Sequence, residues 1–212
     1  MKANHGGSTR LMTVLGAALA AVALLASART AAADAVVGQA APAFTLTGTD
    51  GKAHSLSEFQ GKYVVLEWVN HDCPFVKKHY GSGNMQKLQK KYTAEGVVWL
   101  SINSSAPGKQ GNFPPAEADA LTKEKKASPT ALLLDPDGTV GKAYGAKTTP
   151  HMYVIDPKGT LVYAGGIDDK PSTDAADIAG ARNHVDQALS EALAGKPVTV
   201  ASSTPYGCSV KY

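Results

Sequence analysis

The chain has 212 residues, enough for one domain with a hydrophobic core, and its hydrophobic fraction of 43% is typical of a globular protein rather than a disordered one. Three of the 21 basic side chains lie in the first 33 residues, which contain no acidic residue. The other 18 basic side chains balance the 18 acidic ones. A neutral remainder offers no attraction to a polyanion, so we predict that the protein does not bind nucleic acid.

Residues 1–33 have the order of a secretory signal peptide. Lys2 and Arg10 precede an apolar run over residues 11–26, and Ala31-Ala32-Ala33 provides a small-residue cleavage site. The run is short for a membrane span, which takes about 20 apolar residues, so we expect cleavage rather than anchoring. The Ala-rich segment resembles bacterial export signals. We therefore expect an exported, periplasmic protein, in a compartment where disulfides persist.

The next residues predict the first part of a single domain over residues 35–199. Residues 43–47 alternate between apolar and polar, a turn follows at 49–52, and residues 53–56 complete a β-hairpin. The nearly continuous apolar run 63–69 is typical of a buried central strand.

The same sequence patterns predict the remaining helices and strands. A helix begins at Pro74, is interrupted at Gly81-Ser82-Gly83, and resumes with apolar residues at helical spacing. The further predicted elements are strands at 97–102, 130–135, 152–156 and 161–165, and helices at 115–126 and 175–194. This order predicts an α/β fold with a central mixed β-sheet, helices on both faces and an N-terminal hairpin.

Cys73 lies at a strand-to-helix junction. Backbone N–H groups and the helix dipole favour an anion at that position, so the pKa of the thiol should fall and the sulfur should be reactive. Lys77, one turn along the helix, would add positive charge. A lone cysteine is more often a small buried hydrophobe, but Asp72 and Pro74 at the strand end favour the reactive interpretation.

Cys208 is the other cysteine of the chain and lies in a predicted C-terminal tail, residues 200–212. The segment after Pro197 could span up to roughly 45 Å, so it is long enough to reach Cys73. Three roles stay open at this point: a partner in thiol exchange, half of a static disulfide, or an unpaired thiol.

Three histidines, His71, His79 and His151, surround the predicted site in sequence. Imidazole and thiolate together suit copper or zinc. A closed structural site usually has four ligands, however, and Cys73 is the one thiolate at close spacing. We therefore predict no metal and no other cofactor.

Several motifs together resemble the thioredoxin-like superfamily, and within it the peroxiredoxin-like redoxin family of alkyl hydroperoxide reductase and thiol-specific antioxidant proteins. The motifs are Val37-Gly38-Gln39-Ala40-Ala41-Pro42-Ala43-Phe44 with Asp50-Gly51-Lys52, the strand beginning at Gly61-Lys62, Cys73-Pro74, and Tyr144-Gly145 with Thr148-Thr149-Pro150. The resemblance implies a thioredoxin-like fold and covers residues 37–168.

The resemblance also implies roles for particular residues. Cys73 would be the nucleophile and Cys208 a resolving cysteine, within one chain or across a homodimer. Pro74 would start the helix, and a cis peptide bond between Thr149 and Pro150 would bring residue 149 to the sulfur.

Two positions depart from the family patterns. Val76 stands where a thioredoxin has its second cysteine, and Asn70 stands where a peroxiredoxin has Thr or Ser. A peroxiredoxin also has an Arg beside its thiolate, whereas the one Arg after residue 33 is Arg182, far along the chain.

These observations predict an enzyme: a periplasmic, peroxiredoxin-like thiol oxidoreductase with antioxidant or thiol-disulfide exchange activity. Its partners would be a peroxide or disulfide substrate and a reducing thiol protein. The alternative hypothesis is a thioredoxin-fold module without catalysis that binds copper or a client protein.

Overall fold

The computed structural model describes residues 1–3 and 35–212. The predicted signal peptide, 1–33, lies outside the described residues apart from its first three positions, so it stays a prediction. In the described part of the chain, no helix combines the length and the apolar character that a membrane crossing needs.

Strands and helices alternate along most of the domain. The strands are β1 (Thr45–Gly48), β2 (Ala53–Ser55), β3 (Val64–Trp68), β4 (Val98–Asn103), β5 (Ala131–Leu134), β6 (Thr148–Thr149), β7 (His151–Ile155), β8 (Leu161–Gly165) and β9 (Cys208–Ser209). The α-helices are α1 (Pro74–Gly81), α2 (Asn84–Ala94), α3 (Pro115–Glu124), α4 (Thr139–Ala143) and α5 (His184–Leu193). Short 3-10 helices lie at Leu56–Phe59 and Ala175–Gly180.

Seven strands form one mixed sheet in the order β2-β1-β5-β4-β3-β7-β8. The central strands β3, β4 and β5 are parallel, and the outer pairs are antiparallel. The predicted hairpin at the N-terminus is β1–β2, and the predicted α/β fold with a thioredoxin-like mixed sheet is confirmed. β3 is an inner strand between β4 and β7, and α1 follows its carboxyl end.

Each face of the sheet carries its own hydrophobic core, because successive side chains of a strand point to opposite faces. Val64, Leu66 and Trp68 of β3 pack into one core together with residues of α4, whereas Val65 packs into the other. That second core includes side chains of α1, α2, α3 and α5. Helices therefore lie on both faces, but most of them cover one.

One polar residue of β3, Glu67, is completely buried on the face that carries most of the helices. Its carboxylate accepts hydrogen bonds from Tyr80 Oη at 2.8 Å, Trp99 Nε1 at 2.8 Å, Ser101 Oγ at 3.1 Å and Gln89 Nε2 at 3.2 Å. Burial raises the pKa of this carboxyl, and the four donors oppose that rise. A buried carboxylate needs this many partners, so Glu67 ties α1, α2 and β4 to the central strand.

The predicted helix over 175–194 is wrong in its first half. The chain forms a 3-10 helix at Ala175–Gly180, leaves helical geometry, and starts α5 at His184. Asn183 explains the break, because its backbone pairs with Asp168 and its side chain accepts from the Asp186 N–H as an N-cap. The sequence analysis also missed α4, β6 and β9, which are all five residues or shorter.

Candidate functional site

Cys73 is the N-cap residue of α1, directly before Pro74 at the first helical position. The predicted helix start is therefore confirmed. After β3 the chain turns at Asn70, whose carbonyl accepts the Cys73 N–H at 3.0 Å, and the helix then leaves the carboxyl end of the strand. The turn points the cysteine side chain toward the loop that contains Pro150.

The Cys73 sulfur lies between two segments that are distant in sequence. Its thiol donates to the Thr149 carbonyl oxygen at 3.0 Å, and the Cys208 N–H donates to the sulfur at 3.4 Å. The Thr149–Pro150 peptide bond is cis, as predicted. The Thr149 hydroxyl is buried without a hydrogen-bond partner among the described residues.

The tail reaches this point as strand β9, which pairs with β6 so that Cys208 lies opposite Thr149. Gly207 makes this approach possible. A Cβ at that position would collide with the Thr149 carbonyl oxygen, and the backbone φ of 149° is one that favours glycine. Both thiols are free in this structure, and both belong to one chain.

Cys73 is only 1% exposed and belongs to the hydrophobic core beneath α1. The sequence analysis took its neighbours as evidence against burial, and this expectation is wrong because the tail covers the sulfur. Cys208 packs against the same core and is half-buried. Of the two sulfurs, Cys208 is thus the one that solvent can reach.

The two thiols have opposite pKa shifts. Burial raises the pKa of Cys73, but hydrogen bonds from the Cys208 thiol and from the N–H groups of Val76 and Cys208 outweigh it, so the pKa is lowered overall. Burial, followed by the bond to Cys73 and its charge, raises the pKa of Cys208 to about 11. Cys73 is therefore the stronger acid of the pair, and as the pH rises it loses its proton before Cys208 does.

Other residues singled out in the sequence have different roles from the expected ones. Lys77 is not among the causes of the lowered Cys73 pKa, and instead it lines a cavity of about 360 Å³ with His71. Asn70 shapes the loop, because its amide donates to the Gln110 carbonyl at 3.1 Å and its oxygen accepts the Asp72 N–H at 3.0 Å.

Arg182 does not take part in the site. Its guanidinium lies 3.8 Å from Asp169, and the side chain is 63% exposed. Among the described residues, no guanidinium hydrogen-bonds to the Cys73 sulfur. The peroxiredoxin arrangement of an Arg beside the thiolate is thus not formed by the described residues.

The three histidines do not gather around Cys73. His151 Nδ1 lies 3.1 Å from the Tyr153 hydroxyl, His71 packs edge-on against Tyr80, and His79 contacts the tail through Tyr206. Within residues 1–3 and 35–212, no group of three or more His, Cys, Asp and Glu side chains is arranged to hold a metal ion. Sequence reasoning weighed His79 as a metal ligand and missed its contact with Tyr206, because 127 residues separate the two.

A mixed sheet with a cysteine at the start of a helix and a cis proline facing it defines a thioredoxin-like redoxin. The model of the AhpC/TSA family matches residues 37–164, and the chain belongs to this family. It is 32% identical over 110 residues to a Coxiella burnetii protein and over 109 residues to a Haemophilus influenzae protein, each named as a peroxiredoxin, bcp. These matches cover 51% of this chain and 66% and 64% of the relatives, just under two thirds of their length.

Solved structures extend the similarity further along the chain. An uncharacterized conserved protein from Geobacillus kaustophilus is 28% identical with a TM-score of 0.71, over 84% of this chain and 92% of the other. A hypothetical protein from Sinorhizobium meliloti is 25% identical with the same score, over 84% and 94%. A thiol:disulfide interchange protein, DsbE, from Chlorobium tepidum is 25% identical with a TM-score of 0.51, over 62% and 85%.

Replacing Cys208 should make Cys73 a weaker acid. Cys208→Ala keeps the main-chain N–H but removes the thiol hydrogen bond, so we expect the thiolate fraction of Cys73 at neutral pH to fall roughly tenfold. Ultraviolet absorbance of the thiolate across a pH series measures this. Ser209→Ala, the next residue on β9, is the matched control. An unchanged titration in Cys208→Ala would contradict the assignment of the thiolate.

Proposed function

We propose that this protein is a thiol-dependent oxidoreductase that cycles between a dithiol and a Cys73–Cys208 disulfide. The observation that carries the proposal is the 3.4 Å contact between the Cys208 N–H and the Cys73 sulfur. It places the two cysteines beside each other within one chain, so the cycle needs no second copy and we propose no homodimer. Cys73 is the nucleophile and Cys208 the resolving cysteine.

The difference in acidity supports this division of roles. Thiolates, not thiols, attack disulfides and peroxides, and hydrogen bonding lowers the pKa of Cys73. Cys208 retains a proton that it donates to the Cys73 sulfur, which stabilises the anion until a substrate arrives. Thr149 and Pro150 form the opposite wall of the site.

The reaction with a disulfide substrate proceeds in two exchanges. The Cys73 thiolate attacks one substrate sulfur, the substrate S–S bond breaks, and the other substrate sulfur leaves as a thiolate. Cys208 then loses its proton and attacks the Cys73 sulfur of the mixed disulfide, which releases the second substrate thiol. The substrate is reduced by two electrons, and the protein is oxidised to the Cys73–Cys208 disulfide.

A peroxide substrate would lead to the same disulfide. The Cys73 thiolate would attack a peroxide oxygen and break the O–O bond to become a sulfenic acid, and the departing alkoxide or hydroxide would take up a proton from water. Cys208 would then condense with the sulfenic acid and release water. The names of the Coxiella burnetii and Haemophilus influenzae relatives favour this candidate. Within residues 1–3 and 35–212 no guanidinium hydrogen-bonds to the sulfur, which favours disulfide exchange, and we take this as the primary activity.

Both activities should depend on Cys73. We expect Cys73→Ser to abolish turnover of insulin disulfides and of hydrogen peroxide, because serine supplies no thiolate. Cys208→Ser should retain one stoichiometric reaction at Cys73 and lose turnover, because the mixed disulfide or sulfenic acid is not resolved. Coupled reductase assays and mass spectrometry of the trapped species measure both. Ser209→Ala is the control that leaves both thiols in place.

Two results would reject an enzymatic function. The first is a purified chain that turns over neither insulin nor peroxide. The second is full turnover by Cys208→Ser, which would remove the resolving role. A copper(I) titration with tight binding that is lost in Cys73→Ser, in a chain without turnover, would favour the alternative of a binding module.

The disulfide form should be reduced by attack at the Cys208 sulfur. Cys208 is half-buried, whereas Cys73 is 1% exposed. The better leaving group in thiol exchange is the thiol of lower pKa, which in this pair is Cys73. An attacking reductant thiolate would thus bond to Cys208 and release the Cys73 thiolate.

This regiochemistry can be tested by trapping. A thioredoxin whose second active-site cysteine is replaced by serine, mixed with the oxidised chain, should form a mixed disulfide at Cys208, identified by peptide mass spectrometry. The same experiment on the urea-unfolded chain, where neither sulfur is covered, is the control and should give both adducts. A native adduct mainly at Cys73 would contradict the proposed direction of reduction.

We also propose that the protein acts after export, in the periplasm. The support is the signal-like order of residues 1–33 and the use of a disulfide in the cycle, which suits an oxidising compartment. Expression in a Gram-negative host should yield a periplasmic protein that begins at or near Asp34, as shown by fractionation and N-terminal sequencing. A full-length cytoplasmic product would contradict the export proposal.

A further inference from the structure

The tail that carries Cys208 is held by a half-buried tyrosine two residues earlier, Tyr206, whose hydroxyl contacts two buried partners. The Tyr206 hydroxyl donates to Asp168 Oδ1 at 2.5 Å and contacts His79 Nε2 at 3.0 Å. His79 is fully buried and Asp168 is 3% exposed. Both partners are titratable side chains of the domain body, so this contact joins the tail to the buried part of the domain. We refer to Tyr206, His79 and Asp168 as the tyrosine anchor.

The hydrogen-bond partners show which atoms of the tyrosine anchor carry a proton. The Asn84 amide donates to His79 Nδ1 at 2.9 Å, which leaves the imidazole proton on Nε2 to donate to the tyrosine oxygen. Burial lowers the pKa of His79 to about 4, an effect that Lys78 reinforces and Asp168 opposes, so the ring is neutral at pH 7. Burial and then Asp168 raise the pKa of Tyr206, so it keeps the proton that it donates to Asp168.

The aromatic ring of Tyr206 also has contacts, in addition to those of its hydroxyl. Phe75 packs edge-on against it with the ring centroids 5.8 Å apart, and Lys78 Nζ lies 5.6 Å from its centroid. Lys78 is itself fixed, since it is buried and donates to the Lys170 carbonyl at 2.7 Å. Both groups belong to α1, as does His79.

The helix that holds Tyr206 is therefore the helix that Cys73 caps. A helix is a rigid spacer, so it sets the distance between the Cys73 sulfur and the tyrosine anchor. Only Gly207 separates Tyr206 from Cys208, and its close approach to Thr149 leaves that short link little freedom. The tail is thus held on both sides of Cys208. Tyr206 contacts α1 before it, and Ser209 pairs with β6 after it.

We propose that Tyr206 is a positioning residue for thiol exchange, which holds Cys208 beside Cys73 through the buried hydrogen bonds to His79 and Asp168. This role rests on the proposed dithiol–disulfide cycle and adds a residue to it that touches neither sulfur. In the reduced protein the tyrosine anchor restrains the tail before the disulfide forms, so closure loses less chain entropy. In the oxidised protein the disulfide already restrains the tail, so the tyrosine anchor forms there at a smaller entropy cost and stabilises the oxidised chain more than the reduced one.

The measurable consequence is a change in the stability of the Cys73–Cys208 disulfide relative to the disulfide of glutathione. Oxidised glutathione converts the dithiol chain to its Cys73–Cys208 disulfide and yields two molecules of reduced glutathione, so the equilibrium constant gives the effective concentration of one thiol at the other. A contact that stabilised the reduced and oxidised chains equally would change the melting temperature and leave this constant unchanged.

Tyr206→Phe is the sharpest variant, because it removes the hydroxyl and keeps the ring between Phe75 and Lys78. We expect the effective concentration to fall about tenfold or more, the size of a lost hydrogen bond to a charged group. The assay equilibrates the full chain with glutathione buffers, quenches with acid, and counts thiols by mass spectrometry. Tyr63→Phe is the matched control, since its hydroxyl donates to the Ala192 carbonyl on α5 and not to a group of the tyrosine anchor.

A second variant covers the case in which Tyr206→Phe does not fold. Asp168→Asn preserves the shape of the tyrosine anchor and weakens its charged hydrogen bond, and the equilibrium constant should shift in the same direction by a smaller factor. Equal constants for wild type and Tyr206→Phe, with or without a lower melting temperature, would overturn the positioning role and leave the proposed cycle intact. Failure of the wild-type chain to form a Cys73–Cys208 disulfide at all would overturn both.

Discussion

The structure of this site depends on one close backbone approach, the passage of Gly207 against the Thr149 carbonyl. A side chain at residue 207 would collide with that oxygen. Without the approach, β9 would not pair with β6, and Cys208 would not lie opposite Thr149. The burial of Cys73 and the hydrogen bonds that favour its thiolate follow from the position of the tail, because the tail supplies both the cover and two of the donors.

The site therefore combines a local feature, the strand end and helix start, with a distant one, the C-terminal tail. The strand, the helix start and the cis Pro150 create a place for a thiolate. Val76 leaves that place without the neighbouring cysteine of a thioredoxin, and the tail returns a second thiol from the far end of the sequence. The second thiol has a higher pKa and greater exposure than the first, so the two sulfurs are suited to different steps of one cycle.

Much of the fold could be predicted from the sequence because its signals are local. The apolar run of β3, the proline after Cys73 and the turn residues of the hairpin each report on a few neighbouring positions. The closing helix could not be placed correctly, since the break before α5 comes from Asn183, which pairs with the distant Asp168 as well as capping the helix. Strands of two residues, such as β6 and β9, have no periodicity to detect.

The candidate site also has parts that could be predicted from local sequence and parts that could not. Local sequence was sufficient to identify Cys73 as a helix-start cysteine and to predict the cis proline, because helix starts and family motifs are contiguous. Tertiary structure alone decided that Cys208 is its neighbour and that Tyr206 lies between His79 and Asp168. Cys73 and Cys208 are 135 positions apart, and at that separation the tail can reach many places on the domain. Side-chain packing and hydrogen bonding select one of these places. Neither can be predicted from the residues next to Cys73 or Cys208.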